Sequence, residues 1–202
     1  MASDTSRESF FARLGEGSFM RCGMNASLTR ENPSLRGVVV GVDWSTRDSA
    51  LADRLAMAAI LCDRNGKAIS SEHFVFFNQI ISADLSTERL AEVLGDDDEQ
   101  VEITLPDVPE AVSRIAIVLY VNEGMGITRT LGQLDRCVVR VLDVDGARVL
   151  ARSVNLGPNV GSASAAILAE VYRHNGEWKF KVIGQGYAAG LNELMQQFGV
   201  AL

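Results

Sequence analysis

Ala169-Glu170-Val171-Tyr172-Arg173-His174-Asn175-Gly176-Glu177-Trp178-Lys179-Phe180-Lys181 is the stretch that decides the fold of this 202-residue chain. Tyr172, Trp178 and Phe180 alternate with polar neighbours, which is the period of a half-buried strand and suits cross-strand aromatic packing. Asn175-Gly176 accepts the positive φ angles that a two-residue hairpin turn demands. Ile167 to Arg173 and Trp178 to Ile183 are therefore expected as paired strands. The signature recurs upstream. The β-branched run Val38, Val39, Val40 and Val42 ends at Asp43-Trp44, and His73 to Phe77, Val101 to Leu105, Ile115 to Val121, Cys137 to Leu142 and Val149 to Val154 follow as strands. Asp145-Gly146 marks a second hairpin. Helical spacing is rarer. Leu191, Leu194, Met195 and Phe198 fall at i, i+3, i+4 and i+7. Ser86 to Leu94 places Leu90, Val93 and Leu94 on one face behind a capping Ser86. Leu51 to Leu61 is ambiguous, its alanines and the spacing of Leu51, Leu55, Ala58 and Ala59 favouring helix. Eight or so short strands between turn signals predict a mainly β fold, a two-sheet β-sandwich with short helices that include a C-terminal one. Residues 1–17, polar apart from Phe10, Phe11 and Leu14, are expected as a flexible N-terminal extension before a domain over 18–202.

Nineteen basic and 26 acidic residues leave a net charge of −7. That balance argues against nucleic acid, whose phosphates are held by clustered Lys and Arg. It favours cations or basic partners. Cys22, Cys62 and Cys137 form no CxxC pair, so neither a zinc knuckle nor a disulfide scaffold is indicated. The opening residues lack the apolar core of a secretion signal, and no stretch approaches the ~18 apolar residues of a membrane span. A soluble, cytoplasmic protein without membrane insertion is expected. Catalytic signatures are missing as well. There is no G-x-S-x-G elbow and no phosphate-cradling Walker loop, and both histidines, His73 and His174, stand without a local Ser, Cys or Asp motif. Asp63-Arg64-Asn65-Gly66 and Asp143-Val144-Asp145-Gly146 lack the Glu that closes an EF-hand loop, and are expected to be turns. The chain is not expected to be an enzyme.

The opening stretch runs on through Val182-Ile183-Gly184-Gln185-Gly186-Tyr187-Ala188-Ala189-Gly190-Leu191. Together they resemble the E-x-Y-R-x-N-G-E-W-K-F and G-Q-G-Y-x-x-G-L strings of the TerD family, found in bacterial tellurite and stress resistance clusters. Gly41-Val42-Asp43-Trp44 is similar to the glycine-Trp strand end of that family. Phe74-Val75-Phe76-Phe77-Asn78-Gln79 is similar to its F-V-F-Y-N-N, and Gly95-Asp96-Asp97-Asp98-Glu99 to its acidic G-D-D-E. Leu131-Gly132-Gln133 also fits, and the resemblance covers residues 19 to 202.

The resemblance implies calcium chemistry wherever the ligands survive. Calcium takes about 6–8 oxygens from carboxylates and carbonyls. Asp96, Asp97, Asp98 and Glu99 pack four carboxylates whose repulsion asks for a screening cation, and Asn78 and Asp43 are the further candidates for the metal. Against that set, the family's Asp after the Trp is Ser45 here, and its D-x-D-A-S aligns with Arg54-Leu55-Ala56-Met57-Ala58. Its glycine-rich G-D-N loop gives way to Ser86–Leu94. The resemblance thus implies a non-catalytic binding or adaptor protein for other stress-response proteins, with calcium binding weakened or lost. The alternative is a working calcium-binding stress protein that uses residues 95–99.

Overall fold

The valines that open the upstream pattern lie at the centre of a sheet. A computed structural model describes residues 18–122, 129–144 and 148–200. In it β3 (Gly37–Thr46) pairs antiparallel with β7 (Glu99–Thr104) on one side and β9 (Leu134–Asp143) on the other. β10 (Val149–Ser153) extends β9, β1 (Ser18–Met20) joins β10 in parallel, and β6 (Thr87–Arg89) closes the far edge on β7. The first sheet therefore runs β1-β10-β9-β3-β7-β6. The second runs β2-β12-β11-β8-β4-β5, with β2 (Asn25–Ser27), β12 (Glu177–Tyr187), β11 (Ala165–His174), β8 (Arg114–Val121), β4 (Leu55–Cys62) and β5 (Phe74–Val75). Among the described residues three short α-helices complete it: α1 (Ser49–Ala52), α2 (Gly157–Val160) and α3 (Leu191–Phe198). Among the described residues no helix is long and apolar enough to cross a membrane.

The period of two explains the interior. Val38, Val40 and Val42 from β3, with Val139 and Val141 from β9, meet Ile115, Ile117 and Leu119 from β8 and Phe180 and Val182 from β12 in one buried cluster between the sheets. A second buried cluster lies on the outer face of the second sheet, where Leu194, Met195 and Phe198 of α3 cover Ala58, Ile60, Ala116, Val118 and Ile167. The hairpin of the opening stretch forms as expected. His174 faces Glu177 across a two-residue loop in which Asn175 and Gly176 have φ of 53° and 76°.

Three expectations fail, each for a packing reason. Leu51–Leu61 is helical only over α1, and the rest is β4, all eight residues of which are buried. Its two faces meet the inter-sheet core and α3, so the alternation that marks a strand is absent. Ser86–Leu94 is not a helix: Leu85 turns the chain at φ 64°, and Thr87–Arg89 pairs with β7 while Val93 and Leu94 stay exposed. The strand at His73–Phe77 shortens to Phe74–Val75, because Ser71–His73 forms a 3-10 turn and Phe76 bridges to Gln79. The Asp145-Gly146 turn and the 1–17 extension lie outside the described residues, although β9 and β10 pair antiparallel as that turn requires.

Candidate functional site

The acidic run leads into the start of β7, and strand alternation sends its carboxylates in different directions. Asp97 turns onto the outer face of the first sheet. Its side chain is only 1% exposed, and its Oδ1 accepts from Nε of Arg140 at 2.7 Å. Its Oδ2 accepts from Gln100 Nε2 at 2.6 Å. The carboxylate lies directly over Gly41 in the middle of β3, where a Cβ would come within 1.9 Å of Asp97 Oδ2. Gly41 therefore leaves the opening through which this buried ion pair forms. Asp98 Oδ2 accepts the backbone N–H of Trp44 at 2.7 Å. Glu99 points toward the opposite sheet, where its Oε2 accepts from Arg89 Nε and from the Met57 N–H, each at 3.1 Å. Asp43, on the outer face of β3, pairs with Arg136 of β9. Asp96 stays exposed at the rim of a depression of about 410 Å³, lined also by Asp43, Arg136, Arg140 and Arg152.

The cluster expected from sequence is thus brought together only in part, and with cations built in. Asp43, Asp97 and Glu99 each face a guanidinium of this chain, whereas among the described residues Asp98 accepts from the Trp44 N–H and meets no guanidinium. Burial raises the Asp98 carboxyl above its ordinary value; the Trp44 bond opposes this, and Asp43, Asp97 and Glu99 add to it. Asn78 lies at the exposed tip of the Phe76–Gln79 turn, with no hydrogen bond to the run. Among the described residues no group of three or more His, Cys, Asp or Glu side chains stands close enough to hold a metal ion. Calcium needs about 6–8 converging oxygens, and carboxylates already bonded to Arg89, Arg136 and Arg140 do not fit that requirement as placed. The arginines carry no sequence signal of their own, since Arg140 lies 43 positions from Asp97.

His73 is not isolated. Ser70 Oγ accepts the Glu72 N–H and lies within hydrogen-bond distance, 2.8 Å, of His73 Nδ1. His73 Nε2, on the far side of the ring, sits 3.2 Å from Asp84 Oδ2. This is the order of groups in a nucleophilic triad, but every bond is spent on a turn. Asp84 Oδ1 also accepts from Ser82 Oγ at 2.9 Å and from the Ser86 N–H at 2.8 Å, holding the bend at Leu85. Ser70 at three residues' distance was visible in the sequence; Asp84 was not.

Burial works to raise the Asp84 carboxyl, but the Ser86 and Ser82 hydrogen bonds, with His73, take it below its ordinary 3.8. A lowered folded-state value means that the contribution to stability is present above the ordinary value and lost as pH falls through the folded one. Asp84→Asn should therefore cost about 1.5–3 kcal/mol at neutral pH. In urea melts of both proteins that gap should close as pH drops below 3.8. A gap independent of pH would show that the charge on Asp84 does not matter.

The TerD domain family model matches residues 18–198. The chain is 35% identical over 184 residues to the tellurium resistance protein TerD of Serratia marcescens, covering 88% of this chain and 95% of that protein. It is 33% identical, with the same coverage, to general stress protein 16U of Bacillus subtilis (strain 168). The fold superposes with a TM-score of 0.61 on a homologue of telluride resistance protein (TerD) from Streptomyces coelicolor A3(2), at 20% identity over 80% of this chain and 96% of that one.

Proposed function

The chain belongs to the TerD domain family, and from that premise we propose that it is a non-catalytic binding and adaptor protein of bacterial tellurium or general stress resistance, with an acidic loop fixed by its own arginines instead of by calcium. The names of its relatives support the broad role. The observation that carries the finer reading is the pairing of Asp97, Glu99 and Asp43 with Arg140, Arg89 and Arg136. In a calcium-dependent loop the ion pins carboxylates and so shapes a surface. Here three guanidiniums do so permanently, and the shape presented to a partner is constant. Phe77, Ile80, Leu85, Val93 and Leu94 are exposed in the segments before β6 and before the acidic run. Apolar side chains so placed favour contact with other proteins of the stress response over a role confined to solvent.

Calcium titrated into the chelator-stripped full-length protein is expected to give no saturable heat. A ligand at 100 times its Kd adds about 2.7 kcal/mol, which would raise Tm by about 5–10 °C, and no such rise is expected. A second reading, a retained cation site centred on Asp98 and Asp43, is favoured by the repulsion that these carboxylates exert on one another. A stoichiometric, micromolar calcium signal that disappears in Asp98→Asn would establish it and end the first.

A further inference from the structure

The outer face of the second sheet is divided in two. One half lies under α3 and is lined by small apolar side chains, Ala58, Ala116 and Val118 among them. On the other half the same outward rows turn charged. Register sets Tyr172 of β11 opposite Arg114 of β8, and Glu170 of β11 opposite Lys181 of β12. Arg64, in the turn after β4, and Arg173, near the end of β11, complete the rim of a depression of about 380 Å³.

We propose that this depression binds a doubly charged oxyanion of the phosphate class. The site lies on a different sheet from the acidic loop and does not rest on the reading given above for that loop.

Four cationic side chains, Arg64, Arg114, Arg173 and Lys181, meet there with one carboxylate, Glu170, in a protein whose net charge is −7. Against that global charge a local positive excess has to be built residue by residue, and a concave wall of one sign concentrates the field it makes. The lone carboxylate is already engaged, since Glu170 Oε1 accepts from Arg114 at 3.3 Å. The neighbouring Asp63 is held in its own turn by the N–H groups of Asn65 and Lys67, at 2.8 and 2.9 Å. Arg64 and Lys181 make no ion pair with a described residue, so their charges remain available to a ligand. Arg173 is fixed in place by stacking 4.7 Å from the Trp178 ring centroid and by donating to the Val108 carbonyl at 2.5 Å. Its Nε is buried without a hydrogen-bond partner. Ser113 and Tyr172 add neutral hydroxyl donors to the lining. Planar guanidiniums beside a mobile ammonium and hydroxyl donors form the donor set that recognises tetrahedral oxyanions. A volume of about 380 Å³ exceeds what a bare phosphate fills, leaving room for an ester substituent.

The test titrates inorganic phosphate into the full chain at constant ionic strength and follows backbone amide shifts by NMR. Saturable shifts are expected at Arg64, Arg114, Tyr172 and Lys181, with a Kd below about 1 mM. Lys181→Glu and, separately, Arg64→Gln should weaken binding about tenfold or more. Arg47→Gln, which changes a highly exposed arginine in the bend that follows β3, should leave binding unchanged. O-phosphoserine in a second arm distinguishes the source. Tighter binding than phosphate points to a phosphoryl group carried on a larger molecule, and equal or weaker binding to the free anion. Non-saturating drift, shifts concentrated on Arg136 and Arg152, or unaltered affinity in both variants would overturn the proposal.

Discussion

Asp97→Ala should destabilise the protein by about 3–5 kcal/mol, the range for removing one partner of a buried ion pair. The side chain is almost wholly enclosed, and its loss removes the ion-pair partner of Arg140 beneath the loop and leaves Gln100 Nε2 with the Leu94 carbonyl as its remaining acceptor. The cost comes mainly from that stranded charge, because in an intact buried pair much of the Coulombic attraction is offset by desolvation. A double variant, Asp97→Ala with Arg140→Met, should therefore recover a large part of the lost stability. Chemical denaturation of the three proteins measures both effects. A single variant within about 1 kcal/mol of the parent, the scale of an exposed surface pair, would mean that the pair is solvated and that the loop is held by something else.

Phe180→Ala should cost about 3–5 kcal/mol, the sum of lost transfer energy and of the cavity left behind. Phe180 is 0% exposed and sits in β12 among residues of both sheets, so neighbours can collapse into the gap only by shifting a strand. Phe180→Leu, which keeps most of the volume, should lose less than half as much. The check is the denaturation midpoint at unchanged slope, since an altered slope would show a change in the compactness of the folded or unfolded state. A cost near that of a surface substitution would place Phe180 outside the core and undo the reading of the hairpin from which the fold was argued.

Where one face of an element meets solvent, the sequence was informative. The Asn175-Gly176 hairpin declares itself because β11 and β12 alternate beyond their buried segments, and α3 matches its apolar spacing from Leu191 to Phe198. β4 fails that condition, since both of its faces are covered and an alanine-rich run buried all round carries no period. In Ser86–Leu94, spaced leucines imitate a helix face, while the decisive interaction, Asp84 holding the Leu85 bend, lies upstream of the pattern. The site divides along the same line. Four consecutive acids are conspicuous in a sequence, and the departures at Ser45 and Arg54 are legible beside them. The guanidiniums that face Asp97, Glu99 and Asp43 arrive from β6 and β9 through the sheet register, which no local pattern encodes.

β2 is joined to the second sheet through β12, and Ser27 bonds Glu177 across 150 positions of chain; β3 likewise waits for β9. Such distant pairings must close large loops before any contact repays the lost entropy, which places folding on a scale of about milliseconds to seconds. During synthesis the valine-rich β3 emerges well before the strand that completes its pairing. A nascent chain of this kind has reason to meet a holding chaperone, and conditions that slow elongation would lengthen its exposure.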